Sequence, residues 1–253
     1  MTAGLVLTTL RLYRAQIVVT GVLLALLASA AVMHGWVTAS FIAEYRASNC
    51  PSPSCDALAG LVAQRYQVFG QLLPFIGLLP AAIGAFWGAP LVGREFETGT
   101  THFAWTQSVS RRAWTLTRMA VLGSLIAIGA LVMGTAIDYW LSTFNGFDLA
   151  GGSQTDFSFS HMRGSAPVGW WLFAFAIGTA TGALMRRSVP AMVVTIIVIV
   201  VAVIARNIWF GIAIEGSTAG AALRLQYLET ATLVALAVVV ALATTRSIER
   251  AHA

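Results

Sequence analysis

Six stretches of this chain run without a single Asp, Glu, Lys or Arg for close to the length of a membrane crossing. A bilayer hydrocarbon core of roughly 30 Å takes about 20 apolar residues of helix. The stretches lie at about 15–43, 66–93, 119–137, 164–185, 188–205 and 230–245. None alternates apolar and polar residues with period two, as the strands of a membrane barrel do. The expected fold is therefore an all-α integral membrane protein with six transmembrane helices, at about 15–36, 70–92, 119–140, 168–186, 189–208 and 229–246. These are expected to form a single transmembrane domain over residues 1–253, with outer loop one at about 37–66 and an inner loop at about 94–118.

Charge sets the orientation. Only 10% of the residues are charged, against about 25% in a soluble domain. All fifteen basic residues are arginine and none is lysine, which excludes Schiff-base chemistry and the phosphate-gripping lysine of a Walker A loop. Six spans put both termini on one side of the membrane. That side carries ten arginines and three acidic residues, the other five arginines and seven acidic residues. Arginine concentrates in cytoplasmic loops, so the N and C termini are expected to be cytoplasmic. The net charge of +5 is then a topology signal, and no nucleic-acid partner is implied. Trp36, Trp140, Trp170, Trp171 and Trp209 fall at the proposed outer ends, where indole rings sit among headgroups.

At the N-terminus, Arg11 and Arg14 followed by an apolar run and Ala28-Ser29-Ala30 have the cast of a cleavable signal peptide. The run continues to Ile42, which favours a retained helix. Residues 2–13 read as an amphipathic helix on the inner surface, with Leu5, Leu10 and Tyr13 facing lipid. Cys50 and Cys55 flank two prolines in outer loop one, and a disulfide is expected on that oxidising face; two free thiols are the alternative. Two cysteines without a nearby histidine are half a metal-ligand set, so no metal is expected. Outer loop two, about 141–167, holds Asp148, Asp156, His161 and Arg163 and reads as a solvated connector. Asp138 and Arg206 both fall near outer helix ends, where they either form an intramembrane ion pair or reach to the interface. His34 and Glu229 read as interfacial residues.

Gly84-x-x-x-Gly88 in span two and Gly178-x-x-x-Gly182 in span four allow close helix approach, within the chain or between two copies. Pro74, Pro80 and Pro90 interrupt span two, and the carbonyls they free need other partners. The inner loop that follows reads Arg94-Glu95-Phe96-Glu97-Thr98-Gly99-Thr100, then Phe103-Ala104-Trp105-Thr106-Gln107, then Ser110-Arg111-Arg112 and Trp114. Physically it is a mixed-charge helix end, a Gly-Thr break and an amphipathic piece with exposed aromatics, suited to lipid or to a docking partner.

With those residues the chain resembles the permease subunits of type-2 ABC exporters, especially their actinobacterial branch. The resemblance implies that the inner loop carries an amphipathic coupling helix seated in a groove of the ATPase subunit. Glu97, Gly99 and Thr100 then shape its start, and Phe103, Trp105, Arg111 and Arg112 lie along or beside it. Arg118 takes the place of the usual cationic residue leading into span three. The implied partners are two copies of a cytoplasmic ABC ATPase, which bind the ATP and Mg that this chain lacks the lysine to grip, and a second permease copy or a homologous permease. The implied setting is the plasma membrane of a bacterium.

Three function classes follow. The leading one is the transport subunit of an ATP-driven exporter, with spans two and five lining the pathway by resemblance. The aliphatic wall of span five suits an apolar or amphipathic substrate such as a drug, natural product or lipid. An ATP-independent channel or secondary carrier commonly places ionisable groups near the midplane, and none is expected there. An intramembrane enzyme needs a nucleophile with a base at depth. The histidines fall in loops or at helix ends, no carboxylate pair lies within a span, and no catalytic residue is expected.

Overall fold

Residues 2–47, 53–97, 111–144, 160–214 and 219–250 are described by the structure, a computed structural model, and no strand occurs among them. The helices are α1 (Thr2–Leu12), α2 (Arg14–Ala47), α3 (Pro53–Gly70), α4 (Leu73–Ile76), α5 (Leu79–Ile83), a π-helical turn (Gly84–Gly88), α6 (Ala89–Glu97), α7 (Arg111–Ser142), a short 3-10 turn (Ser160–Met162), α8 (Ala166–Met185), α9 (Ser188–Ile214) and α10 (Ala219–Arg250). Among the described residues, six helical runs are long and apolar enough to cross a membrane: Arg14–Ala47, Cys55–Glu97, Ala113–Ser142, Ala166–Met185, Ser188–Trp209 and Leu223–Ile248. The all-α, six-span reading is thus the observed architecture.

Two boundaries differ from the sequence reading. Outer loop one is not a loop over 37–66: α2 continues to Ala47 and α3 starts at Pro53. Both helices carry on past the apolar runs, through Glu44, Arg46, Asp56 and Arg65, because a helix satisfies its own backbone in water as well as in lipid. The face of α1 also turns out differently. Thr9 is buried, and Tyr13, one turn on, packs against the core, while Leu7 and Leu12 are the exposed residues. Helix α1 lies against α7, which claims that face.

Span two is assembled from pieces, and its prolines explain the breaks. Pro74 and Pro80 each occupy the first turn of a short helix, where a missing N–H breaks no bond. Pro90 removes the α-helical donor for the carbonyl of Phe86, four residues earlier. That carbonyl lies in the π-helical turn and accepts a hydrogen bond from the Gln16 side chain of α2 at 2.9 Å.

Helix α8 stands at the centre, touching α5, the π turn, α6, α7, α9 and α10. Its contact with span two is backbone against backbone. A Cβ on Gly178 would lie 2.0 Å from the Gly84 carbonyl oxygen, and one on Gly182 would lie 2.3 Å from that of Ala89. The reciprocal positions are as tight: a Cβ on Gly88 would lie 2.6 Å from the Phe175 oxygen. The two small-residue motifs therefore interlock with each other inside the chain. At the outer end, His34 of α2, Tyr66 and Phe69 of α3, Trp140 of α7 and Phe144 just beyond it stack in one aromatic cluster, and Trp140 Nε1 donates to His34 Nδ1 at 2.9 Å. His34, read as interfacial, is half-buried and packs in that cluster.

Candidate functional site

The inner end of span two is where the sequence placed its most informative residues, and it is where two other spans are tied in. Helix α6 carries Glu95 and Glu97 in its last turn. Glu95 pairs with Arg118 of α7, the side chains being 21% and 11% exposed respectively. The Arg118 guanidinium lies 3.8 Å from the ring centre of Trp114, one turn earlier, and 5.9 Å from that of Tyr13. Burial pushes the Tyr13 phenol above its ordinary pKa, opposed by the nearby Arg118 charge, so it stays neutral. One arginine thus joins α6 and α7 to Tyr13, the residue between α1 and α2.

Glu97 reaches the other way. Its carboxylate accepts the Ser188 backbone N–H at 3.0 Å and the Ser188 hydroxyl as well. Ser188 is the first residue of α9, so Glu97 caps span five from the end of span two. A carboxylate suits that position because the first turn of a helix has unpaired N–H groups and the positive end of its dipole. The connection from span four is equally tight. Arg186 ends α8 in the left-handed region, at φ 52°, and its N–H bonds to the Gly182 carbonyl at 3.0 Å. A side chain on Gly93 would stand 3.2 Å from the Ser188 backbone, and Arg186 lies 5.5 Å from the ring centre of Phe96. Gly93, Phe96 and Glu97 thereby grip the turn between spans four and five.

Of the expected coupling residues, Glu97 stands at this junction. Gly99, Thr100, Phe103 and Trp105 lie outside the described residues, and Arg111 and Arg112 open helix α7. Sequence reasoning missed Glu95, Tyr13, Trp114 and Ser188 as members of the cluster. A signal for Arg118 and Trp114 was present in their four-residue spacing on one helix face; Ser188 had none, because its partner is distant in the chain.

At the outer end the expected pairing of Asp138 with Arg206 is replaced by two others. Asp138 accepts from Arg163 at 2.8 Å, and Arg206 grips Glu229 of α10 with two contacts of 3.0 and 3.1 Å. Arg206 also donates to the Ser160 hydroxyl at 2.8 Å, and Trp170 donates to Glu229 at 3.0 Å. The reason is the turn Ser160–Met162, which folds inward with all three residues buried. It brings Arg163 to Asp138 and leaves Arg206 to the carboxylate across from it. His161, read as part of a solvated connector, is buried here beside Gly77 of span two. Glu229, read as interfacial, is the ion-pair partner of Arg206. Asp148 and Asp156 lie outside the described residues. Cys55 is buried and disulfide-bonded, while Cys50, the expected partner, is outside them.

The site is therefore a mechanical junction, tying spans two, three and five at the arginine-rich face. Neither the curated proteins nor the solved structures contain a match to the chain. A family model described as ABC-2 membrane transporter related matches residues 21–210, about three quarters of the sequence. By that match the chain belongs to the ABC-2 membrane transporter-related family, a family of ABC-2-type permeases.

Proposed function

We propose that the chain is the permease subunit of an ATP-driven exporter, akin to the actinobacterial type-2 exporters it resembles. Two separate ATPase subunits close on ATP beneath a pair of permeases, formed by two copies of this chain or by this chain and a homologue. They push on the loop that follows Glu97, residues 98–110. The observation that carries the reading is the Glu97–Ser188 cap. It links the start of that loop directly to the N-terminus of span five. A displacement of the loop therefore reaches spans two and five together, the two spans that line the pathway by resemblance. The stiff interlock of span two with span four extends the same body.

The pathway wall argues for the cargo. Val193, Ile197, Val201 and Ile204 stand exposed along α9, so an apolar or amphipathic molecule is the substrate class proposed, moved outward by alternating access. Purification in mild detergent tests the partnership. An ATPase with a Walker A loop should accompany the chain and leave it when residues 98–110 are replaced by a flexible Gly/Ser linker. Transport by the chain alone in liposomes, without ATP, contradicts the reading.

A further inference from the structure

Helices α7 and α10 both pack on α8 and touch each other, and a groove of about 390 Å³ lies between them. Its walls include Leu116, Ala120 and Ser124 of α7 and Val238 and Leu242 of α10, with Phe175 of α8 on its floor. Small residues make the space: Ala120 and Gly123 on one wall face Ala237 and Ala241 on the other. The wall is chemically apolar even at Ser124, whose hydroxyl is bonded to the Ala120 carbonyl at 2.7 Å within its own helix. No residue of spans two or five takes part, so the groove is separate from the proposed pathway.

Depth and charge together point to an occupant. The lining runs from Leu116 to Ala127 on α7 and from Val234 to Leu242 on α10. At about 1.5 Å per residue these walls are about 16 and 12 Å long. Half of a hydrocarbon core of roughly 30 Å is about 15 Å, the depth of one leaflet. The lining residues thus occupy the parts of α7 and α10 toward their arginine-bearing ends, over about the depth of one leaflet. Arginines mark its mouth. Val234, Val238, Leu242 and Arg246 follow one another at four-residue steps along α10, and Arg246 is exposed one turn beyond the last lining residue. Arg112 takes the matching position on α7, one turn before Leu116.

We propose that this groove holds one acyl chain of an anionic phospholipid from the leaflet on the arginine-rich side, with the phosphate at Arg246. The apolar walls accept the chain and the depth matches a single leaflet. The cation at the headgroup level selects for negative charge, as basic residues beside membrane helices do. The site needs only membrane insertion and does not depend on the exporter reading.

The experiment is native mass spectrometry of the delipidated full chain, given phosphatidylglycerol and phosphatidylcholine with identical acyl chains. The wild type should retain phosphatidylglycerol in preference to phosphatidylcholine. Arg246→Gln should lower that preference about fivefold, the effect of one interfacial arginine. Ala120→Phe, which fills the groove from an exposed position, should lower retention of both lipids while the thermal unfolding midpoint holds. Equal retention of the two lipids by the wild type overturns the proposal. So does an unchanged preference in Arg246→Gln, a variant whose exposed position leaves folding intact should Ala120→Phe fail to fold.

Discussion

Arg206 and Glu229 show what a buried charge pair demands. Their side chains are 7% and 18% exposed, and each holds a second partner, Ser160 for the arginine and Trp170 for the carboxylate. Removing one member of such a pair leaves the other charge buried alone, which costs about 3–5 kcal/mol. Arg206→Ala should therefore lower stability by about that amount in detergent unfolding, and Arg206→Met combined with Glu229→Leu should recover most of it. A double variant as unstable as the single one contradicts the pairing. That Asp138, Arg206 and Glu229 would gather near the outer face was readable from their positions in the sequence. Which carboxylate took which arginine was not. The choice depends on the rotation of α7, α9 and α10 about their axes and on the inward fold of Ser160–Met162, and neither leaves a mark in hydropathy.

Among the elements, the contact of span two with span four is the most demanding. A methyl on Gly178 would meet the Gly84 carbonyl oxygen at 2.0 Å, and a backbone atom there has no room to retreat. Gly178→Ala should destabilise the chain by about 1–3 kcal/mol or prevent its accumulation in the membrane. Gly21→Ala is the control: nothing lies within 4 Å of the added methyl, and alanine favours helix by about 0.5–1 kcal/mol. The pair of measurements separates lost packing from helix propensity, and equal stability of the two variants contradicts the interlock. The glycine spacing was visible in the sequence, yet it fits a contact within one chain and a contact between two copies equally well. Only the facing backbones decide. The missed outer extensions of α2 and α3 have the opposite cause. Hydropathy reports the solvent around a helix, and these helices leave the membrane without ending.

For the molecule as a whole, arginine placement and apolar length together determine how it sits in the membrane. With the native cysteines replaced by serine, Glu44→Cys should react with a membrane-impermeant maleimide on intact cells, and Arg94→Cys only after permeabilisation. The reverse pattern contradicts the orientation. The six-span layout could be read from the sequence because it rests on bulk solvation. The junction at the inner face could not, since it joins Glu97 to a serine beyond two further spans. In the proposed function, that junction is where force from an ATPase would pass into span five. The most direct test is ATP-driven efflux from liposomes holding the assembled complex, comparing the wild type with Glu97→Ala and following ATP hydrolysis in parallel. Glu97→Ala should keep its ATPase partner and its hydrolysis but lose most of its transport. Transport at the wild-type level in that variant would contradict that role for the junction.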